Sequence, residues 1–156
     1  MKNTFKIVPI IASINSSRGN KHINEYKKTK KGEEFFKNIE SVKLHMEKHA
    51  DLIRPKFEVA YSYLEELPKE CGTYSRPTGG YFITYCTSKP IATKVVELCK
   101  EMGVLITPAG STFPKNYDPN NSVIRLAPTY VSRDDLESAM EVFTTAVQLA
   151  HSEVKI

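Results

Sequence analysis

The feature that most constrains this chain is the turn Pro77-Thr78-Gly79-Gly80, set between two short runs that read as strands. Thr73 to Arg76 runs into the turn, and Tyr81 to Thr87 leaves it rich in β-branched and aromatic residues. Glycine takes backbone conformations closed to other residues, and proline fixes the first corner, so the pattern predicts a hairpin. A second punctuated stretch, Pro108 to Ser122, is rich in proline and asparagine and reads as a loop. Val123 to Ala127 then forms a strand ended by Pro128.

Helices flank these strands. Asn38 suits an N-cap and Glu40 adds negative charge to a first turn. Ile39, Val42, Met46, Ala50, Ile53, Phe57, Ala60 and Leu64 recur at steps of three and four, an amphipathic stripe. Pro55 lies inside the pattern and is expected to kink or split the helix. Ser88 is placed to cap a second helix reaching about Met102, with Ala92, Val95, Val96, Cys99 and Met102 as its buried stripe and Gly103 as its stop. Val104-Leu105-Ile106 reads as a short buried strand. Ser132 with Asp135 resembles a capping box, and Leu136, Ala139, Met140, Phe143, Val147 and Ala150 form the stripe of a last helix.

At 156 residues the chain can bury one core, and its 40% hydrophobic content is that of an ordinary globular protein. The net charge of +4 is unevenly spread: residues 1–32 carry eight Lys/Arg against Glu25 alone. That divides the chain into a basic N-terminal arm, 1–32, and a domain, 33–156. A solvated leader is the plain reading of the arm, and an electrostatic contact with an acidic partner or nucleic acid the sharper one. No zinc-finger spacing or aromatic-interleaved basic repeat supports nucleic acid. Ile7 to Ile14 is too short to span a membrane. Three cysteines, Cys71, Cys86 and Cys99, without a CxxC spacing, argue against a disulfide framework and for a reducing cytoplasm.

Few residues offer chemistry. Arg125 lies in the last strand, where alternation puts Ile124 and Leu126 on one face and Val123, Arg125 and Ala127 on the other. An arginine among small and apolar residues can clamp a carboxylate through its planar fork, or simply sit on an exposed strand face. His45 and His49 lie four apart on one helix face, but the glutamate is misplaced for a zinc-protease motif and lysines flank the pair, so a metal site is not expected. Cys86 and Cys99 occupy positions that read as buried, with no activating base evident. Gly79-Gly80 and Gly110 are too isolated for a phosphate loop, and no Walker, GxGxxG or GxSxG motif is present.

Three motifs in order carry a family resemblance: Arg76-Pro77-Thr78-Gly79-Gly80-Tyr81-Phe82, Thr107-Pro108-Ala109-Gly110-Ser111-Thr112-Phe113-Pro114, and Val123-Ile124-Arg125-Leu126-Ala127-Pro128. With Ile53-Arg54-Pro55-Lys56-Phe57 before them, they resemble the C-terminal, small domain of fold-type-I, pyridoxal-phosphate-dependent class I/II aminotransferases, closest to the alanine/aspartate-aminotransferase-like subgroup. The match runs from about Asn38 to Val154 and weakens over residues 1–30. It implies an α/β fold, a small mixed sheet covered by helices. It implies that Arg125 is the residue for the substrate α-carboxylate of an amino acid or 2-oxo acid. The cofactor belongs to the parent family, whose lysine, ring-nitrogen aspartate and phosphate donors lie in a large domain. Lys2 and Lys6 fall near the family's cofactor lysine, without its Ser/Thr-rich surroundings. The expectation is a truncated or split aminotransferase C-terminal domain that binds no cofactor alone and transfers amino groups only when a large domain is supplied. The alternative is a non-catalytic module pairing with itself or with a full-length aminotransferase through the Asn38 helix.

Overall fold

The computed structural model describes residue 28 and residues 30–154. Lys2, Lys6 and nearly all of the basic arm lie outside the described residues. By contacts the chain divides into two compact units, Met1–Leu52 and Ile53–Ile156.

In the first unit, the described residues belong mainly to the opening part of helix α1, Lys30–Glu66. The helix starts eight residues before Asn38, with Glu33 in its first turn. Lysine and glutamate are good helix formers, so the charged stretch extends the helix and Asn38 becomes an interior residue. Val42 and Met46, expected on a packed stripe, are 56% and 43% exposed, and Leu52 is 74% exposed.

The second unit holds the core. There α1 buries Phe57, Val59, Ala60 and Leu64, followed by Leu67. The helix is not split at Pro55, which lies inside it. An interior proline costs about 3 kcal/mol, and the burial that follows it offsets a penalty of that size at about 1.5–3 kcal/mol per large apolar side chain. Lys56 Nζ donates to the backbone carbonyls of Thr129 and Val131, at 3.0 and 2.6 Å.

A single-turn helix, Lys69–Cys71, leads into the sheet, whose order is β1 (Gly72–Tyr74), β2 (Ile83–Thr87), β3 (Val123–Leu126). Both pairings are antiparallel, with Tyr74 opposite Tyr85 and Thr84 opposite Arg125. The hairpin is as expected, except that Ser75 and Arg76 fall outside β1, and Tyr81 and Phe82 outside β2. Ser75 still pairs with Thr84: its N–H donates to the Thr84 carbonyl at 2.8 Å and its hydroxyl accepts from the Thr84 N–H at 2.9 Å. Arg76 fastens the hairpin to α1. Its guanidinium lies 4.6 Å over the Tyr61 ring, pairs with Glu65 and donates to the Tyr74 hydroxyl.

Two expectations fail here. Val104-Leu105-Ile106 is not a strand, and Leu105 is 83% exposed. Without that strand, the described sheet is purely antiparallel rather than mixed. Local β-propensity had no partner strand to satisfy its backbone.

Helix α2, Ala92–Glu101, begins four residues later than Ser88. Pro90 disfavours helical geometry at Lys89, so Ser88 cannot lead into the helix. The hydroxyl of Ser88 donates to the Glu70 carbonyl instead. Asn121, from the long loop, caps α2: its Oδ1 accepts from the N–H and hydroxyl of Thr93, at 3.0 and 2.7 Å. Its Nδ2 donates to the Pro90 carbonyl at 2.9 Å. At the other end Gly103, at φ 87°, terminates the helix as expected. Met102 leaves the stripe and is 43% exposed, and Leu98 is buried in addition.

Helix α3, Arg133–Glu153, starts with the capping arrangement read from the sequence. The Ser132 hydroxyl accepts from the Asp135 N–H at 3.2 Å and donates to Asp135 Oδ2 at 2.6 Å. Leu136, Met140, Phe143, Ala146, Val147 and Ala150 are buried, while Ala139 is half-buried. Phe143 meets Tyr85 edge-on, with centroids 5.4 Å apart. Lys89 Nζ closes the far end of α3 on the carbonyls of His151 and Val154, at 2.9 and 2.6 Å. The helices thus cover the Ile83, Tyr85, Ile124 and Leu126 face of the sheet. The opposite face, with Thr84, Cys86, Val123 and Arg125, stays half-buried.

Candidate functional site

Strand alternation does what the sequence predicted at Arg125. Ile124 and Leu126 are 1% and 5% exposed, and Arg125 projects from the other face. Thr84 stands directly opposite on β2. The guanidinium carbon lies 4.6 Å from the centroid of the Phe82 ring. Among the described residues no carboxylate pairs with Arg125, and its Nε is buried without a hydrogen-bond partner. A buried donor left unpaired costs about 1–3 kcal/mol. A charged fork in that state suits a planar, two-oxygen anion.

The loop before β3 fixes where that arginine stands. Gly110 sits at φ 81°, and a Cβ there would fall 2.5 Å from the Asn116 carbonyl oxygen, so only glycine fits. Asp118 gathers the loop's end: its carboxylate accepts from the N–H groups of Asn120 at 3.0 Å and of Ser122 and Val123 at 2.8 Å each. Desolvation by itself raises the Asp118 pKa, but the combined hydrogen bonds from the Val123, Ser122 and Asn120–Asn121 backbone hold it below the ordinary value. Asn121, at φ 45°, then ties this loop to α2. Sequence reading missed Asp118 and Asn121 as organising residues. The signal available was the Asp-Pro-Asn-Asn order, in which short polar side chains bond their own backbone and tolerate left-handed geometry.

Other candidates separate. The rings of His45 and His49 are nearly parallel, 6.4 Å apart, and no metal-ligating group of three occurs among the described residues. Cys99 is fully buried, and desolvation pushes its thiol up to about 11, far from a nucleophile. Cys86, expected to be buried, is half-exposed, because it lies on the sheet face that the helices leave uncovered. Cys71 is buried, and desolvation, with Glu70 beside it, raises its thiol as well. All three cysteines are free. No described helix is long and apolar enough to cross a membrane.

Pyridoxal phosphate needs a lysine for its imine, an acid at the ring nitrogen and donors for its phosphate. The two half-buried described lysines, Lys56 and Lys89, each hold two backbone carbonyls. The remaining described lysine side chains are exposed. The described residues therefore do not fit the cofactor. What they build is narrower, an arginine on the open face of a helix-backed antiparallel sheet.

That fold, with this motif order, defines the small-domain class of aminotransferases. The sequence matches the family described as Aspartate amino-transferase across residues 11–156, and the chain belongs to that family. It is 39% identical over 121 residues to an aspartate aminotransferase of Corynebacterium glutamicum, covering 76% of this chain and 28% of the relative. Among solved structures, it resembles an aspartate transaminase of the same organism, with a TM-score of 0.71 and 38% identity over 73% of this chain and 27% of that one. An aminotransferase-like structure from Corynebacterium diphtheriae gives a TM-score of 0.73 and 44% identity over 78% of this chain and 30% of that one. The chain spans about 28% of the length of the curated relative it matches.

Proposed function

We propose that this chain works as the carboxylate-holding part of an aminotransferase site, with Arg125 binding the carboxylate of an amino acid or 2-oxo acid. The observation that carries this reading is the Arg125 guanidinium itself: its Nε is buried and unpaired, and no described acid neutralises it. The matching arginine of the family motif has that role by resemblance. In this reading, a large-domain polypeptide supplies the lysine, the cofactor-binding groups and the amino-transfer chemistry, and a reducing cytoplasm is the compartment. The polypeptide described by this sequence alone then gives no transaminase turnover. The test incubates the purified chain with pyridoxal phosphate, reduces with borohydride and maps adducts by mass spectrometry. Scattered or absent labelling supports the reading. A saturable one-to-one adduct at a single lysine, or turnover of an amino acid with a 2-oxo acid, overturns it.

A second reading, a non-catalytic module that pairs with itself or with a full-length aminotransferase, is favoured by one observation. Val42, Leu44, Met46 and Leu52 on α1 are 43–74% exposed. Sedimentation of the chain checks it: a strictly monomeric chain at high concentration removes self-pairing.

A further inference from the structure

We propose that Phe82 is a positioning residue for Arg125, a ring that fixes the plane of the guanidinium and leaves its N–H fork open to a carboxylate. The proposal rests on the carboxylate reading of Arg125 and adds the part that makes the clamp rigid.

The register places the two residues. Ile83 pairs with Leu126 and Thr84 with Arg125, so Phe82, the residue just before β2, lies one diagonal step from Arg125 on the same face. Such diagonals lie within reach of aromatic and long side chains. The guanidinium carbon sits 4.6 Å from the ring centroid, inside the range for attraction between a cation and the negative face of an aromatic ring. Arginine is long and has many rotamers, and a stacked partner on one face removes much of that freedom before a ligand arrives.

A second arginine in the same chain makes the contrast. The guanidinium of Arg76 also lies 4.6 Å over a ring, that of Tyr61, but its N–H edge is taken by Glu65 and by the Tyr74 hydroxyl. Arg76 is thus a closed staple. Arg125 has the stacked face without the edge partners. Its neighbouring ring is a phenylalanine, with no hydroxyl to accept from the fork, and the residue opposite, Thr84, has its backbone N–H and carbonyl bonded to Ser75. At 46% exposure the Phe82 ring also borders solvent, so a bound ligand would meet its edge.

The test uses the whole chain, isotopically labelled, with 2-oxoglutarate as the probe ligand. In the wild type, the Arg125 Hδ and Hε resonances are expected upfield of random-coil values, moved by the Phe82 ring current. Phe82→Leu should return them toward random coil and weaken 2-oxoglutarate binding by about two- to fivefold. Phe82→Trp, which keeps a π face, should bind within about twofold of wild type. Arg125→Gln should abolish binding. If Phe82→Leu keeps wild-type affinity and Arg125 shifts while Arg125→Gln loses binding, the Phe82 proposal is wrong and the carboxylate reading stands. If Arg125→Gln binds like wild type, the carboxylate reading itself fails. Should Phe82→Leu not fold, the wild-type shifts decide: random-coil values at Arg125 overturn the proposal.

Discussion

Asn121 is the most informative single position for stability, because three separable effects meet there. Its side chain accepts from the Thr93 N–H and hydroxyl and donates to the Pro90 carbonyl, and its backbone sits at φ 45°. Asn121→Ala removes the cap of α2, worth about 1 kcal/mol. It places a Cβ-bearing residue without a polar side chain in left-handed geometry, which costs about 1 kcal/mol more. It also deletes the bond to Pro90, worth about 0.5–1 kcal/mol in a partly exposed setting. The expected loss is about 2.5 kcal/mol, if the three terms add. Asn121→Gly removes the same bonds but is free of the left-handed penalty, so it should cost about 1.5 kcal/mol. Equilibrium urea unfolding with unchanged slope measures both. Alanine and glycine variants equal to each other would refute the backbone argument. An alanine variant within about 0.5 kcal/mol of wild type would refute the cap.

Other outcomes follow from the same geometry. The Tyr85 hydroxyl is buried and unpaired while its ring packs on Phe143, so Tyr85→Phe should stabilise the chain by about 1 kcal/mol in urea unfolding, and a clear loss would mean that the hydroxyl has a partner. The Asp118 carboxyl titrates below its ordinary value in the fold, so its contribution is whole above about pH 4 and is lost as pH falls through the lowered native value. Asp118→Asn should flatten that segment of the stability-against-pH curve, and an unchanged acid limb would remove Asp118 as its source.

The legible parts of the sequence were those where local chemistry and tertiary packing agree. Ser132 with Asp135 begins α3, Gly103 ends α2, and the alternation around Arg125 sets its face, because cap, C-terminus and strand period act within a few residues. The misreadings share the opposite property. The cap of α2 comes from Asn121, 28 residues beyond the Thr93 that it holds, and no local pattern announces a loop folding back on a helix. Val104 and Ile106 have strand propensity, yet a strand exists only when a neighbouring backbone accepts it. Cys86 looked buried because its strand is apolar, but only one face of that strand is covered. At the site, Arg125 stood out through its motif. Its stacking on Phe82 and its lack of an acidic partner needed the register of β2 against β3.

The measurement that bears most directly on the central claim is a titration of the labelled chain with 2-oxoglutarate, comparing wild type with Arg125→Gln. The expected result is a saturable shift centred on the Arg125 guanidinium and on the facing residues Phe82 and Thr84, absent in the variant. Identical binding in the two proteins, or a wild-type response that leaves Arg125 unmoved, would contradict it.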